Sequence, residues 1–285
     1  MAPRRTRRTV AVLVVIGVVV AWVVSRSNEP KPHYERLVRT QEYLPGVAAD
    51  VFLPATARDR AAVVILVPGG SWRTANRSGL APLAETLAER GMTVVNATYR
   101  AADSGARFPE PVADIVCAID FGVEQARREH VAPGPVVVLG HSSGAQLASL
   151  AALEPARFRG ACPYQQVDPD GFVGLAGPYD ITEWQAVAAP MFTASPVQDP
   201  ARWKDANPLT WTASRTGANS LSVLLAHGAD DNEVSLASSK NFAEALTQAG
   251  HRVQLTILPG VDHASIYTPG VIADTITTWI TSLVQ

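Results

Sequence analysis

Two uninterrupted apolar runs of strand length, 61–67 (AAVVILV) and 135–139 (PVVVL), constrain this chain more than any other feature. Such runs lack the alternation of a strand with one wet face. They fit strands buried on both sides, as in a parallel sheet between two layers of helix. The segments around them keep the same rhythm. Residues 80–90 have helical spacing and stop at Gly91, 92–97 is β-rich, and 112–128 is helical. After the second run come a helix at 145–153 and strands at 172–176 and 222–226. A helix at 238–249 with Gly250 as its stop, a strand at 253–258 and a closing helix at 273–283 complete the series. Alternation at 46–53 reads as an early antiparallel strand. Strands alternating with helices predict an α/β fold with a mostly parallel central sheet and helices on both faces. Only 182–218 breaks the pattern. It holds Trp184, Trp203, Trp211 and four prolines with little periodicity, and is expected to form a small cap over one end of the sheet.

Composition narrows the function classes. Of 285 residues, 47% are hydrophobic and 18% charged, which excludes a disordered or fibrous chain. Lys and Arg number 24 against 26 Asp and Glu, a formal net charge of −2, without the basic footprint of a nucleic-acid binder. The N-terminus differs from the rest. Arg4, Arg5, Arg7 and Arg8 precede an uncharged apolar run at 10–24, the pattern of a signal anchor or signal peptide. Residues 1–28 are therefore set apart from a catalytic domain at 29–285. The expectation is an extracytoplasmic protein, secreted or held to the membrane by this segment. Cys117 and Cys162 could close a disulfide in that compartment, but spacing alone leaves the pairing open.

The chemistry is concentrated in four loops. Gly140-His141-Ser142-Ser143-Gly144 follows the second apolar run directly and opens the helix AQLASLAAL, the setting of a nucleophile elbow. A turn this tight forces Ser142 into a strained backbone state and needs glycine beside it. The helix N-terminus behind it favours developing negative charge, and the Ser143 N–H can donate to an oxyanion. Pro68-Gly69-Gly70-Ser71-Trp72 follows the first apolar run, one crossover upstream as read from the chain. A backbone N–H from Gly70 or Ser71 can complete the oxyanion hole. The loop after the strand at 222–226 carries three candidate acids, Asp230, Asp231 and Glu233. The loop after 253–258 carries His263, the one of six histidines placed after the acid in a C-terminal loop, and so the candidate base. No metal-ligand cluster, nucleotide fingerprint or phosphate loop occurs, so no metal or other cofactor is expected.

On these residues the chain resembles the α/β-hydrolases. It is similar to the esterase/lipase branch that includes kynurenine formamidase-like enzymes and bacterial feruloyl and acetylxylan esterases. The likeness runs over about 45–285 and includes Asn96-Ala97-Thr98-Tyr99-Arg100 and Gly177-Pro178-Tyr179-Asp180. The order Ser…Asp…His is that of these enzymes. The resemblance implies an acid at Asp231 rather than Asp230, through the spacing His-Gly-x-x-Asp-x-x-Val, and a base at His263. It implies a serine hydrolase that cleaves carboxylic esters of small molecules through an acyl-enzyme. A prolyl-oligopeptidase-like peptidase and an arylformamidase are the alternatives. A binding module on the same fold is a poorer match, because Ser142, Asp231 and His263 are all present. Two departures stand out: Pro68 replaces the His that usually opens the oxyanion motif, and 162–170 is longer than usual.

Overall fold

In the computed structural model, which describes residues 38–54 and 60–283, the two apolar runs lie side by side. They form β3 (Arg60–Val67) and β5 (Ala132–His141), paired in parallel with Val64 opposite Val137 and Leu66 opposite Leu139. Eight strands form one sheet in the order β1-β2-β4-β3-β5-β6-β7-β8. The others are β1 (Val38–Leu44), β2 (Val47–Phe52), β4 (Thr93–Ala97), β6 (Gly171–Leu175), β7 (Ser222–Gly228) and β8 (Arg252–Leu258). The β1–β2 and β2–β4 pairs are antiparallel; every pair from β4 to β8 is parallel.

Alternate side chains of each central strand enter opposite layers, as the two-residue period of a strand requires. Val63, Ile65 and Val67 pack with helices α2 (Glu110–Arg128), α3 (Ser143–Leu153) and α4 (Leu236–Gln248). Val64 and Leu66 pack with α1 (Ala81–Glu89) and α5 (Pro269–Ser282). The helix after β3 thus turns to one face and the helix after β5 to the other. The crevice they leave lies at the carboxyl ends of those strands, where open α/β sheets hold their ligands. Two helices, α1 and α2, intervene in the chain between the loop after β3 and the elbow after β5. The two loops are nevertheless neighbours, because β4 joins the outer side of β3.

Strand β1 adds an edge to the sheet beyond the strand expected at 46–53. Its sequence VRTQEYL has little apolar alternation because it is the edge strand, with its first three residues exposed. The expected cap at 182–218 falls within the connection between β6 and β7, built of short helical turns. Its tryptophans are packing residues. Trp203 stacks on Phe192 with centroids 3.8 Å apart, Trp211 meets Phe158 edge-on, and Trp184 tilts against Trp72 at 6.2 Å. Cys117 on α2 and Cys162 form a disulfide, Cα atoms 5.5 Å apart. The long segment 162–170 is held to α2 through it, and also through Asp120, which accepts from Val167 N–H (2.8 Å) and Arg159 (2.7 Å). The N-terminal segment 1–28 lies outside the described residues. Among the described residues, no helix is long and apolar enough to cross a membrane.

Candidate active site

Ser142 is the residue between β5 and α3, with φ 54° and ψ −131°. This left-handed backbone is uncommon for a residue with a side chain and stores strain. It is held by the Ser142 N–H, which donates to Leu175 O at 2.9 Å, and by Ser142 O, which accepts from Ala145 N–H at 2.8 Å. Close packing explains the flanking glycine. A Cβ on Gly144 would overlap Pro68 O and stand 2.6 Å from Val67 O. Gly69 in turn comes so near the elbow that a Cβ there would lie 2.9 Å from Ser142 Cβ. The two loops interlock through positions where only a hydrogen fits.

Side chains from three loops meet at the strand ends. His263 Nε2 is 2.9 Å from Ser142 Oγ, and His263 Nδ1 is 2.8 Å from Asp231 Oδ2. An ionised Asp231 only accepts, so Nδ1 carries the ring proton. Nε2 is then free to accept from the Ser142 hydroxyl. Asp231 Oδ1 accepts from the N–H of Glu233 (2.9 Å) and of Val234 (2.8 Å). Burial works against ionisation of this carboxyl. The hydrogen bonds from Val234, His263 and Glu233 outweigh it and hold Asp231 below the usual carboxylate range. The three candidate acids therefore separate. Asp231 faces Nδ1. Glu233 reaches the other side of the ring, 4.0 Å from Nε2. Asp230 is exposed.

Of the candidate oxyanion donors, Gly70 and Ser71 lie beside the nucleophile, and Ser143 follows it in the chain. Gly70 and Ser71 line a cavity of about 260 Å³ together with Ser142 and His263. The loop turns sharply: Ser71 and Trp72 both have left-handed φ, 52° and 59°, and Gly70 O accepts from Arg73 and Thr74 N–H at 2.9 and 3.1 Å. Ser143 is the first residue of α3. Among the described residues, no acceptor is paired with the backbone N–H of Gly70, Ser71 or Ser143. Pro68 lines the cavity, and its carbonyl accepts from Tyr99 Oη at 3.1 Å. None of 162–170, and none of the three insertion tryptophans, lines this cavity.

Several supporting side chains escaped the sequence reading. His141 Nε2 donates to the carbonyl of His263 at 2.9 Å, and its ring packs between those of His263 and Tyr267. Burial, reinforced by the neighbouring His263, depresses its pKa to about 4 against the pull of this bond, so the ring stays neutral near pH 7. His227 Nε2 donates to Val234 O at 2.9 Å and lies 3.3 Å from Asp231 Oδ2. Its Nδ1 accepts from Ser239 Oγ at 2.7 Å. Gln146 accepts from Trp72 Nε1 at 2.8 Å and donates to Ala206 O at 2.6 Å, so α3 ties the loop after β3 to the insertion. An amide side chain in the otherwise apolar and small-residue helix AQLASLAAL was the available signal for Gln146; His141 and His227 offered none beyond their motifs.

Comparison with known proteins agrees with this architecture. The BD-FAE family model matches residues 49–246. A probable isoprenylcysteine alpha-carbonyl methylesterase of Oryza sativa subsp. japonica is 27% identical over 76% of this chain and 55% of its own length. A probable carboxylic ester hydrolase, LipM, of Mycobacterium tuberculosis is 29% identical over 72% of this chain and 49% of its own. The chain thus spans about half the length of these curated relatives. Among solved structures, a truncated carbohydrate esterase from gut microbiota superimposes with a TM-score of 0.75 at 19% identity, over 89% of this chain and 98% of that one. That likeness is one of fold.

Proposed function

The chain belongs to the BD-FAE family of α/β-hydrolases, and on that premise we propose that it is a serine hydrolase cleaving small-molecule carboxylic esters through an acyl-enzyme. Ser142 Oγ attacks the ester carbonyl while His263 Nε2 takes the hydroxyl proton. Asp231 holds the ring and stabilises the imidazolium that forms. The oxyanion of the tetrahedral intermediate accepts from the N–H of Ser143 and of the Gly70–Ser71 turn. Each such donor is worth about 2.7–4 kcal/mol of barrier. The intermediate collapses as His263 returns the proton to the leaving alcohol. Water, deprotonated by the same nitrogen, then attacks the acyl-serine and releases the acid. No cofactor enters these steps.

The observation that carries this reading is the unbroken hydrogen-bonded path from Ser142 Oγ through His263 to Asp231, 2.9 and 2.8 Å, with the serine strained into the cavity mouth. The test is Ser142→Ala, with stoichiometric labelling of the wild-type serine by a fluorophosphonate. The variant is expected to lose both labelling and turnover. Retention of more than about a hundredth of wild-type kcat would overturn the assignment.

We also infer an extracytoplasmic location, released or anchored through 1–28. Arg4, Arg5, Arg7 and Arg8 before an apolar run support it, as does a disulfide, which persists in oxidising compartments. Activity confined to the cytosolic fraction would overturn it.

A further inference from the structure

Glu233 is the one charged side chain among the described residues lining the cavity beside Ser142. Its carboxylate oxygen lies 4.0 Å from His263 Nε2, so a single ring nitrogen separates it from the nucleophile. The side chain is 72% exposed, open to whatever enters the cavity. Among the described residues no Lys or Arg pairs with it. The arginines of the adjoining segment are taken elsewhere, Arg73 by Asp103 at 3.1 Å and Arg77 by Asp50 at 2.7 Å. Its backbone is fixed by the same carboxylate that orients His263: the Glu233 N–H donates to Asp231 Oδ1 at 2.9 Å. The root of the side chain is therefore held close to the reacting atoms.

Tyr267 lines the same cavity. Its ring packs edge-on to His141 with centroids 4.7 Å apart, and its hydroxyl approaches Gly79. The remaining wall is backbone and neutral side chains, Asn76 and Leu80 among them. A carboxylate and an aromatic ring lining one otherwise neutral cavity are chemistry suited to a cation.

We propose that Glu233 sets the charge class of the substrate: the cavity favours esters with a cationic group, such as a quaternary or primary ammonium, a few bonds from the scissile carbonyl, and disfavours anionic ones. This rests on the ester-hydrolase reading above and adds the substrate class to it. The second carboxylate, Asp231, is buried and committed to His263 and two backbone N–H groups. Glu233 is thus the carboxylate available to substrate. At about 6 Å, with an effective dielectric between those of a protein surface and bulk water, one unit of charge changes binding by roughly tenfold.

The test uses three butyrate esters that differ only in the charge of the alcohol: butyrylcholine, its neutral carbon isostere 3,3-dimethylbutyl butyrate, and 3-sulfopropyl butyrate. The readout is kcat/KM relative to the neutral ester, which cancels any general effect of a substitution on the active site. The wild-type protein at low salt is expected to prefer the cationic ester about tenfold and to disfavour the anionic one by a similar factor. Both ratios should approach one in Glu233→Gln, reverse in Glu233→Lys, and shrink toward one at about 1 M salt, where exposed charges are screened. Equal values for the three esters in the wild-type protein would overturn this proposal alone, as would ratios that survive in Glu233→Gln. Failure of the wild-type protein to hydrolyse any of the three would overturn the esterase reading and this one with it.

Discussion

Replacing Asp231 by Asn tests the geometry most directly, because the surrounding donors dictate which way the amide must point. Asp231 Oδ1 accepts two backbone N–H bonds, from Glu233 at 2.9 Å and Val234 at 2.8 Å. An asparagine keeps them only with its carbonyl oxygen in that position. Its NH2 then takes the place of Oδ2 and meets His263 Nδ1, 2.8 Å away, donor against donor. His227 Nε2, 3.3 Å from the same oxygen, meets a second clash of donors. The conflict at His263 is relieved by moving its proton from Nδ1 to Nε2. The nitrogen facing Ser142 Oγ then donates where it should accept, and the base is lost. A wrong-tautomer defect of this kind lowers kcat by roughly 10⁴, about 5.4 kcal/mol of barrier. Asp230→Asn is the matched control: that side chain is exposed, and its substitution is expected to change kcat less than twofold. The assay is hydrolysis of a short-chain p-nitrophenyl ester, with fluorophosphonate labelling rates in parallel and a thermal melt to show that each variant is folded. If Asp231→Asn kept more than about a tenth of wild-type kcat, or Asp230→Asn lost as much, the reasoning from donor geometry would be refuted.

Three further outcomes are expected. Reducing the Cys117–Cys162 disulfide, which spans 45 residues, should destabilise the fold by roughly 2–4 kcal/mol, read as a lower urea midpoint; an unchanged midpoint would count against it. Gln146→Ala leaves the Trp72 indole N–H and the Ala206 carbonyl without their partner. It should cost about 2–4 kcal/mol of stability and lower kcat by loosening the oxyanion loop; a variant with wild-type melting and turnover would remove Gln146 from that role. His141 titrates at about 4 in the folded chain against about 6.5 when unfolded, so the unfolded chain binds the proton first. Stability is present above about 6.5 and lost as pH falls toward about 4, by up to roughly 3 kcal/mol from this group. The buried His227 and His251, shifted in the same direction, add to the loss. Denaturant titrations at pH 7 and 4.5 should show a shallower pH slope in His141→Gln than in the wild-type protein, and equal slopes would exclude the mechanism.

The central layer of the fold was legible in the chain because it depends on local pattern. Runs such as AAVVILV and PVVVL have one favourable environment, and the helices between them carry their own spacing and stops. Ser142 was legible for the same reason: a strand, a tight turn and a helix are contiguous, so the strain at φ 54° is written in five consecutive residues. The edge strand β1 was not, since an exposed edge lacks the apolar alternation that marks a strand. Sheet order was decided only in three dimensions. Because β4 joins the outer side of β3, the loop after β3 and the elbow become neighbours although two helices separate them in sequence. The choice among Asp230, Asp231 and Glu233 was likewise tertiary. Adjacent residues on a tight turn point in different directions, and the two backbone N–H groups that fix Asp231 select which carboxylate meets His263. The same turn sends Glu233 to the opposite side of the ring, where its charge faces the cavity instead of the base's proton. The positions of His141 and Gln146 depend on contacts across 122 and 60 residues of chain. Local sequence carries no record of such distant pairings, because they are fixed by how the layers pack.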